Sequence, residues 1–412
     1  MTDLCYPKHG GLLTLEQARN AIAGAIVSVT DTDTVELAQA LGRNLAQSVV
    51  SPIDIPPQRN AAMDGYAFAS DDLRATFEFS VAGTSWAGKP FDGEILAGQC
   101  VRIFTGAVVP EFADSVIPQE QVQRRGDLVT LPADTAIGKN IRAAGSDVGR
   151  HETLITAPKT LTPSDLGLLA AAGIERVTVK RKVKIGFFST GDELTPLGQP
   201  LQTGQIYDSN RYLLAGLLDD PNHYVTDLGV VSDDPRILEQ RLRNASTRFD
   251  LLISTGGASV GDADFVKQVL ESCGEINFWK LAIKPGKPLA FGKIGNCWFF
   301  GLPGNPVAVL VTYNEFVKPA LRQLAGANTV KSMLLKVRCE SPLRKAPGRQ
   351  EFQRGILRQS ANGEFTVIAA GGQDSHQLKV ASLANCFIVL DADCGGVQPG
   401  DLVTVEPFDV TI

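Results

Sequence analysis

The 412-residue sequence predicts a multidomain α/β plus β protein. Its parts are a central three-layer α/β domain with a mostly parallel sheet, a β-rich lid domain, a helical linker region and a C-terminal β-barrel. Three observations predict this. Between residues 182 and 326, strand-like apolar runs alternate with helical stretches at the spacing of a parallel sheet covered on both faces. Residues 60–145 and the stretch after 329 read instead as short strands between turns. Helix signals elsewhere fall near the N-terminus and just past residue 160. The expected boundaries are 1–53 with 146–180 for the helical linker region, 54–145 for the lid, 181–328 for the α/β domain and 329–412 for the barrel.

The first helix follows from a capping box, Thr14-Leu-Glu-Gln17, with Ala18, Ile22, Ala25 and Ile26 on one face. Ser51-Pro-Ile-Asp-Ile-Pro-Pro57 ends that pattern, because closely spaced prolines suit neither a helix nor a central strand. Lid strands are expected at 77–81, 100–104, 115–117 and 127–131. Thr162 before Pro163, with Gly173 beyond, brackets a further helix. In the α/β domain, 183–188, 225–231 and 251–253 are strand-like, and 209–218, 235–244 (Asp234 as cap) and 263–272 are helical. Strand-like runs at 289–292 and 297–300 adjoin two turns, Lys284-Pro-Gly-Lys287-Pro and Gly301-Leu-Pro-Gly-Asn305-Pro306, and an apolar-periodic helix spans 307–324. Barrel strands are expected at 334–339, 352–357, 365–368, 386–390 and 402–405.

Composition narrows the function classes. A formal net charge of -6 argues against nucleic acid as a partner. No apolar run reaches the length of a membrane span, and Met1-Thr-Asp-Leu-Cys5 lacks the basic-then-apolar layout of a signal peptide. The seven cysteines form no C-x-x-C pair and read as free thiols of a reducing, cytoplasmic compartment. The four histidines, His9, His151, His223 and His376, lack zinc-ligand spacing.

The chemistry is expected beyond the carboxyl ends of the α/β strands, where ligands of open sheets bind. There the chain places Asp192 and Glu193, then Asp233 and Asp234, then Gly256-Gly257-Ala-Ser259-Val-Gly-Asp262-Ala-Asp264. The Pro303-Gly304-Asn305-Pro306 turn opens onto a helix, and the N–H groups and dipole of such a start favour an anion. Lys280, Lys284 and Lys287 lie just upstream. Carboxylates beside anion-binding turns suit magnesium bridging protein and phosphate. Each feature also has a plain reading: Asp192 and Asp234 as helix caps, Asp262 and Asp264 as acids complementing a helix dipole, Gly256-Gly257 as a positive-φ turn, the lysines as solvated charges. In the lid, Asn60-Ala-Ala-Met-Asp64-Gly-Tyr66, Arg102-Ile-Phe-Thr105-Gly106, Asn140-Ile-Arg142 and Gly145-Ser-Asp147 gather polar residues at strand ends. Asp64 before a glycine is by itself a turn former; together these groups suit a surface closing over a ligand.

These stretches, with Ser189-Thr-Gly-Asp-Glu-Leu194 and Ser254-Thr-Gly-Gly-Ala-Ser-Val-Gly261, resemble the molybdopterin molybdenumtransferases, whose animal relative is the C-terminal domain of gephyrin. The resemblance runs in order from about Leu12 to Phe408. It implies an enzyme that takes adenylylated molybdopterin and molybdate with magnesium and releases AMP. It also implies a homodimer, formed through the helical linker region, whose active site is shared between subunits, and exchange with a molybdopterin adenylyltransferase and with cofactor-receiving enzymes. Carried over by motif, Asp64, Asp147, Glu193, Asp233 and Asp264 take catalytic places, the last three as metal ligands. Thr105, Arg142, Gly256, Gly257, Ser259, Lys280, Lys284, Lys287, Pro303, Gly304, Asn305 and Pro306 take substrate-binding places. Two departures stand out: Ser146 where the family usually has an acid, and Ser232 where it often has arginine. A gephyrin-like scaffold for a partner peptide and a molybdopterin adenylyltransferase are the alternatives.

Overall fold

A computed structural model describes residues 12–232, 234–256, 265–328 and 332–408. The chain divides into two compact units, one of residues 1–33, 42–46 and 179–412, the other of 34–41 and 47–178.

In the larger unit, six strands form one sheet. Their order is His223–Val231, Val183–Thr190, Leu251–Thr255, Cys297–Leu302, Pro288–Ile294, Glu275–Lys280. The first four are parallel, and Pro288–Ile294 runs antiparallel to both its neighbours, Cys297–Leu302 and Glu275–Lys280. The near-continuous burial of Val183–Thr190 and Leu251–Thr255 is what a strand covered on both faces requires. Helices Ser209–Leu217 and Pro235–Ser246 start at Asp208 and Asp234, whose carboxylates accept from the Arg211 N–H at 3.1 Å and the Arg236 N–H at 2.8 Å. The plain capping reading of Asp234 therefore holds.

One apolar core runs through this unit. Ala18 and Ile22 of the Leu15–Ala25 helix, with Ile26 just past its end, join Leu281, Ile283, Val309, Phe316 and Leu321 of the α/β layer and Phe352 and Phe387 of the C-terminal region. That region is a closed five-stranded barrel, Gln350–Gln359, Phe365–Ala369, Leu335–Cys339, Leu402–Pro407 and Cys386–Leu390, the last pairing back onto the first.

The strands Gly65–Phe68 and Glu275–Lys280 are not among those expected from the sequence, and two further differences bear on the site. The expected single helix 307–324 is interrupted by a wider π turn over Tyr313–Val317. Pro319 has no N–H to return to the Glu315 carbonyl, and the Arg19 Nε donates to that carbonyl instead, at 3.3 Å. Lys284, expected to open a turn, instead extends a short strand, Ile283–Lys284, parallel to the barrel strand Gln350–Gln359, with Lys284 opposite Glu351.

The smaller unit carries a six-stranded sheet in the order Ser115–Pro118, Gly65–Phe68, Gln99–Ile103, Glu78–Ser85, Leu128–Thr130, Gln123–Arg125. Tyr66, Phe68, Phe79, Ile117 and Val129 form one small core and Ala61, Ala67, Ile103 and Val116 another. The alternation of Gly65–Phe68 and Gln99–Ile103 between them is the period-2 pattern of a strand buried on two faces.

Candidate active site

Parallel pairing brings Thr190, Val231, Thr255 and Leu302 out on one edge of the α/β sheet. The turns that follow are packed together. Gly256 has φ 98°, and a Cβ there would stand 2.4 Å from the Thr190 carbonyl oxygen, so only glycine lets the two loops approach. Gly304 lies against it: the Gly256 Cα is 3.7 Å from where a Gly304 Cβ would sit. Asn210, from the Ser209–Leu217 helix, donates its Nδ2 to the Gly304 carbonyl at 2.6 Å and pins the turn. Pro303 and Asn305 flank that turn, and Pro306 opens the Pro306–Thr312 helix, where its missing N–H costs nothing. The exposed Glu193 carboxylate folds back over Gly191, reaching within 2.5 Å of where a Cβ there would stand. Asp233, Gly257, Ser259 and Asp264 lie outside the described residues, and among those described no group of three metal-ligating side chains occurs.

Beside this edge the α/β turns and the barrel enclose a cavity of about 390 Å³. Lys284, Lys287, Pro303, Gly304 and Asn305 form one wall; Arg349, Glu351, Arg354, Asp374 and Ser375 form the other. Four basic side chains thus face two carboxylates. Lys284 arrives there because its strand pairs with the barrel, and its Nζ lies 3.2 Å from Glu351 Oε1. Lys280 does not line the cavity. It is exposed at the end of its strand, where its carbonyl accepts from the Leu13 N–H at 2.8 Å.

Arg354 is the unusual member. It is wholly buried, its Nη2 donates only to the carbonyls of Gly372 (3.0 Å) and Asp374 (3.1 Å), and its Nε has no hydrogen-bond partner. Burial pushes its guanidinium below the ordinary arginine value, against the opposing fields of Asp374 and Glu351. A buried cation without a paired carboxylate is costly unless a ligand supplies the counter-charge. The same loop reaches the helix start, where the Val307 N–H donates to the Ser375 carbonyl at 3.2 Å. Sequence reasoning missed Arg349, Arg354 and Ser375. The one available signal was a charged residue, Arg354, in the middle of the expected strand 352–357.

In the smaller unit, Asp64 and Thr105 meet directly. Asp64 Oδ1 accepts from the Thr105 N–H at 2.8 Å and from its hydroxyl at 2.7 Å. Those two bonds, with the Arg102 charge nearby, hold the Asp64 carboxyl below its ordinary value. Arg102 donates to the Gly65 carbonyl at 2.9 Å and lies over the Tyr66 and Phe104 rings, and Phe104 stacks on Trp86 at 4.2 Å. Arg142, exposed, sits opposite Asn60 in a two-stranded pairing that leads into Asp64. Exposed Asp147 is placed by its N–H donating to the Ile55 carbonyl at 3.0 Å.

Comparison with known proteins covers the whole of this architecture. Residues 13–173 match the MoeA N-terminal region (domain I and II), 186–323 a probable molybdopterin binding domain, and 336–408 the MoeA C-terminal region (domain IV). The molybdopterin molybdenumtransferase of Haemophilus influenzae is 44% identical over 400 residues, covering 97% of this chain and 99% of its own length. That of Nostoc sp. is 36% identical over 358 residues, 84% and 82%. The gephyrin of Dictyostelium discoideum is 29% identical over 90% of this chain and 59% of its own. The crystal structure of a molybdopterin biosynthesis MoeA protein from Pyrococcus horikoshii superposes with a TM-score of 0.82 at 29% identity, covering 97% of this chain and all of that one. With all three family regions present in order, and 44% identity to a relative over nearly the full length of both chains, the chain belongs to the molybdopterin molybdenumtransferase family, a family of transferases.

Proposed function

We propose that this enzyme inserts molybdenum into molybdopterin, taking adenylylated molybdopterin and molybdate with magnesium and releasing AMP. The observation that carries this reading is Arg354, a buried cation with no carboxylate partner in a cavity whose opposite wall holds Lys284 and Lys287. A dianionic oxyanion supplies the charge this cavity lacks, and its oxygens accept from donors that protein groups leave unused. The Pro303–Asn305 turn and Ala308 at the start of the following helix line the same space, where the positive end of the helix dipole favours an anion. Molybdate in this cavity stands beside the strand edge where the Gly256 and Gly304 turns pack together.

Glu193 stands on that edge, and Asp233 and Asp264 follow neighbouring strands in the sequence. Three carboxylates are the hard oxygen donors magnesium takes, and these are the residues that would hold it; the ion would neutralise pyrophosphate charge. This chain's own residues bind, orient and balance charge, and no covalent nucleophile is required. Asp64, Thr105, Arg142 and Asp147 are proposed to close the site from the partner subunit of a homodimer. The bonds from Thr105 keep Asp64 ionised and fixed in direction, as a positioning carboxylate needs.

The test is direct. Purified protein with adenylylated molybdopterin, magnesium and molybdate releases AMP and transfers molybdenum in equal amounts. Absence of both from well-folded protein refutes the reading.

A further inference from the structure

A second cavity, of about 270 Å³, opens at the other end of the same row of strand ends. Its walls are Pro196, Leu197, Tyr212 and Val230, and its polar members are Thr195, Asp208 and Arg211. The place is fixed by the fold. Leu194–Thr195 pairs in parallel with Ile206–Tyr207, and the Ile206 N–H donates to the Glu193 carbonyl at 2.9 Å. Val230 adjoins Val231, which pairs with Thr190. The Ser209–Leu217 helix supplies Arg211 and Tyr212 here, and through Asn210 it touches the Gly304 turn of the first cavity. The two cavities therefore flank Glu193 and Gly256 along one edge.

The polar groups of this second cavity are unfinished. Thr195 is 5% and Asp208 4% exposed, yet Thr195 Oγ1 and Asp208 Oδ2 have no hydrogen-bond partner, and neither has Arg211 Nε. Asp208 uses its other oxygen to cap the helix. Its free oxygen stays 3.8 Å from Arg211 Nε, too far for a hydrogen bond, and Arg211 Nε is 3.5 Å from Asp227. Asp208 and Arg211 thus form an ion pair without a hydrogen bond, and with the Thr195 hydroxyl they leave three buried polar atoms that a ligand can satisfy. The required chemistry can be read from them. A donor must meet the Asp208 carboxylate, an acceptor must meet Thr195 or Arg211, and an apolar body must lie between Leu197, Tyr212 and Val230. A flat nitrogen heterocycle with donor and acceptor side by side on one edge meets all three needs. The volume is near the lower end of small-molecule pockets, roughly 300 Å³, and admits one bicyclic ring.

We propose that the Thr195–Asp208–Arg211 cavity holds the heteroaromatic ring at one end of the substrate while the Lys284–Arg354 cavity holds the oxyanion. The inference rests on the reading of this chain as an enzyme of adenylylated molybdopterin. That molecule brings two such rings, an adenine and a 2-amino-4-oxopteridine, and both present the same donor–acceptor edge. The experiment separates them.

Binding of AMP with magnesium, and of free pterin, is measured by calorimetry on the full chain, on Thr195→Val and on Leu197→Trp. The hydroxyl of Thr195 has no protein partner, so its loss leaves the fold intact. Leu197 is 54% exposed, so a larger ring there fills the cavity from its open side. The expected result is a loss of at least tenfold in affinity for one probe in both variants, with molybdate affinity unchanged. Loss for AMP assigns the adenine, and loss for pterin assigns the pteridine. Equal affinities in all three proteins, or no binding of either probe to the parent, overturns the proposal. These are equilibrium measurements on ring binding, so their failure is distinct from a failure of AMP release and molybdenum transfer.

Discussion

The α/β unit treats its two ends in opposite ways, and two arginines show it. At the start of the strands, Arg181 is fully matched: its guanidinium binds Asp250 through both Nη1 (2.7 Å) and Nη2 (2.9 Å) and Asp31 through Nε (3.0 Å). These partners raise its affinity for the proton, the Asp250 bond first. Beyond the strand ends, Arg354 is deeper and meets only carbonyls. A charge neutralised within the protein holds the fold. A charge left unneutralised in a cavity is held in readiness for something that comes and goes.

Four experiments break or sharpen that contrast. The largest effect is expected from Arg354→Met, which removes the buried charge at similar length. Molybdate-dependent turnover falls by about two orders of magnitude or more, the scale for loss of a preorganised donor, while the melting temperature changes little because an unpaired buried cation leaves with it. A large loss of stability with unchanged turnover would make Arg354 a structural residue like Arg181. Next, Asp250→Asn takes the bidentate partner from Arg181, and chemical denaturation should show a loss of about 1–3 kcal/mol, with the KM for molybdate unaltered. A changed KM would break the division of labour.

Thr105→Val removes one of the two bonds that hold Asp64 ionised. Turnover is expected to drop about tenfold, with the acid limb of its pH profile moving to higher pH. The sign follows from the depressed Asp64 value: its ionised form is favoured above the ordinary carboxylate range and is lost as pH falls through the lower folded value. An unmoved acid limb would detach Asp64 from turnover.

The smallest effect concerns a third kind of charge. Glu315 is fully buried and ion-paired to Arg19, yet burial first, and the nearby Glu406 carboxylate second, push it up to about 8. Arg19 is 40% exposed, so water weakens its pull, and the upward direction prevails. A raised acid stabilises the fold below its unfolded value, and that contribution is lost as pH rises through the folded one. The melting temperature is therefore expected to fall by about 3–6 °C between pH 5 and pH 9, and Glu315→Gln should flatten that slope. An equal slope in the variant would place the titration elsewhere.

Much of this was legible in advance, for local reasons. Thr14-Leu-Glu-Gln17 announces its helix because both halves of the capping box lie within four residues, and both bonds form. Asp234 caps its helix as expected, its carboxylate accepting from N–H groups of the first turn. The alternation of strand and helix announces a parallel sheet, and that sheet brings the acid and glycine turns to one edge. Asp64 and Thr105, forty-one residues apart, carried no local signal that they touch.

The sequence by itself determined the capped helices, most strands of the α/β layer and the barrel, the edge at which chemistry gathers and the family to which the chain belongs, because each rests on periodicity, caps, turns and motifs within a few residues. Only the tertiary structure decided what the barrel is for. Arg354 and Ser375 face Lys284 because Ile283–Lys284 adds to the barrel strand, and Arg19 replaces a lost donor at Glu315 because the first helix packs there. Which buried charge finds a partner, and which is left open to a ligand, depends on the packing of segments far apart in the chain, and no local pattern encodes that.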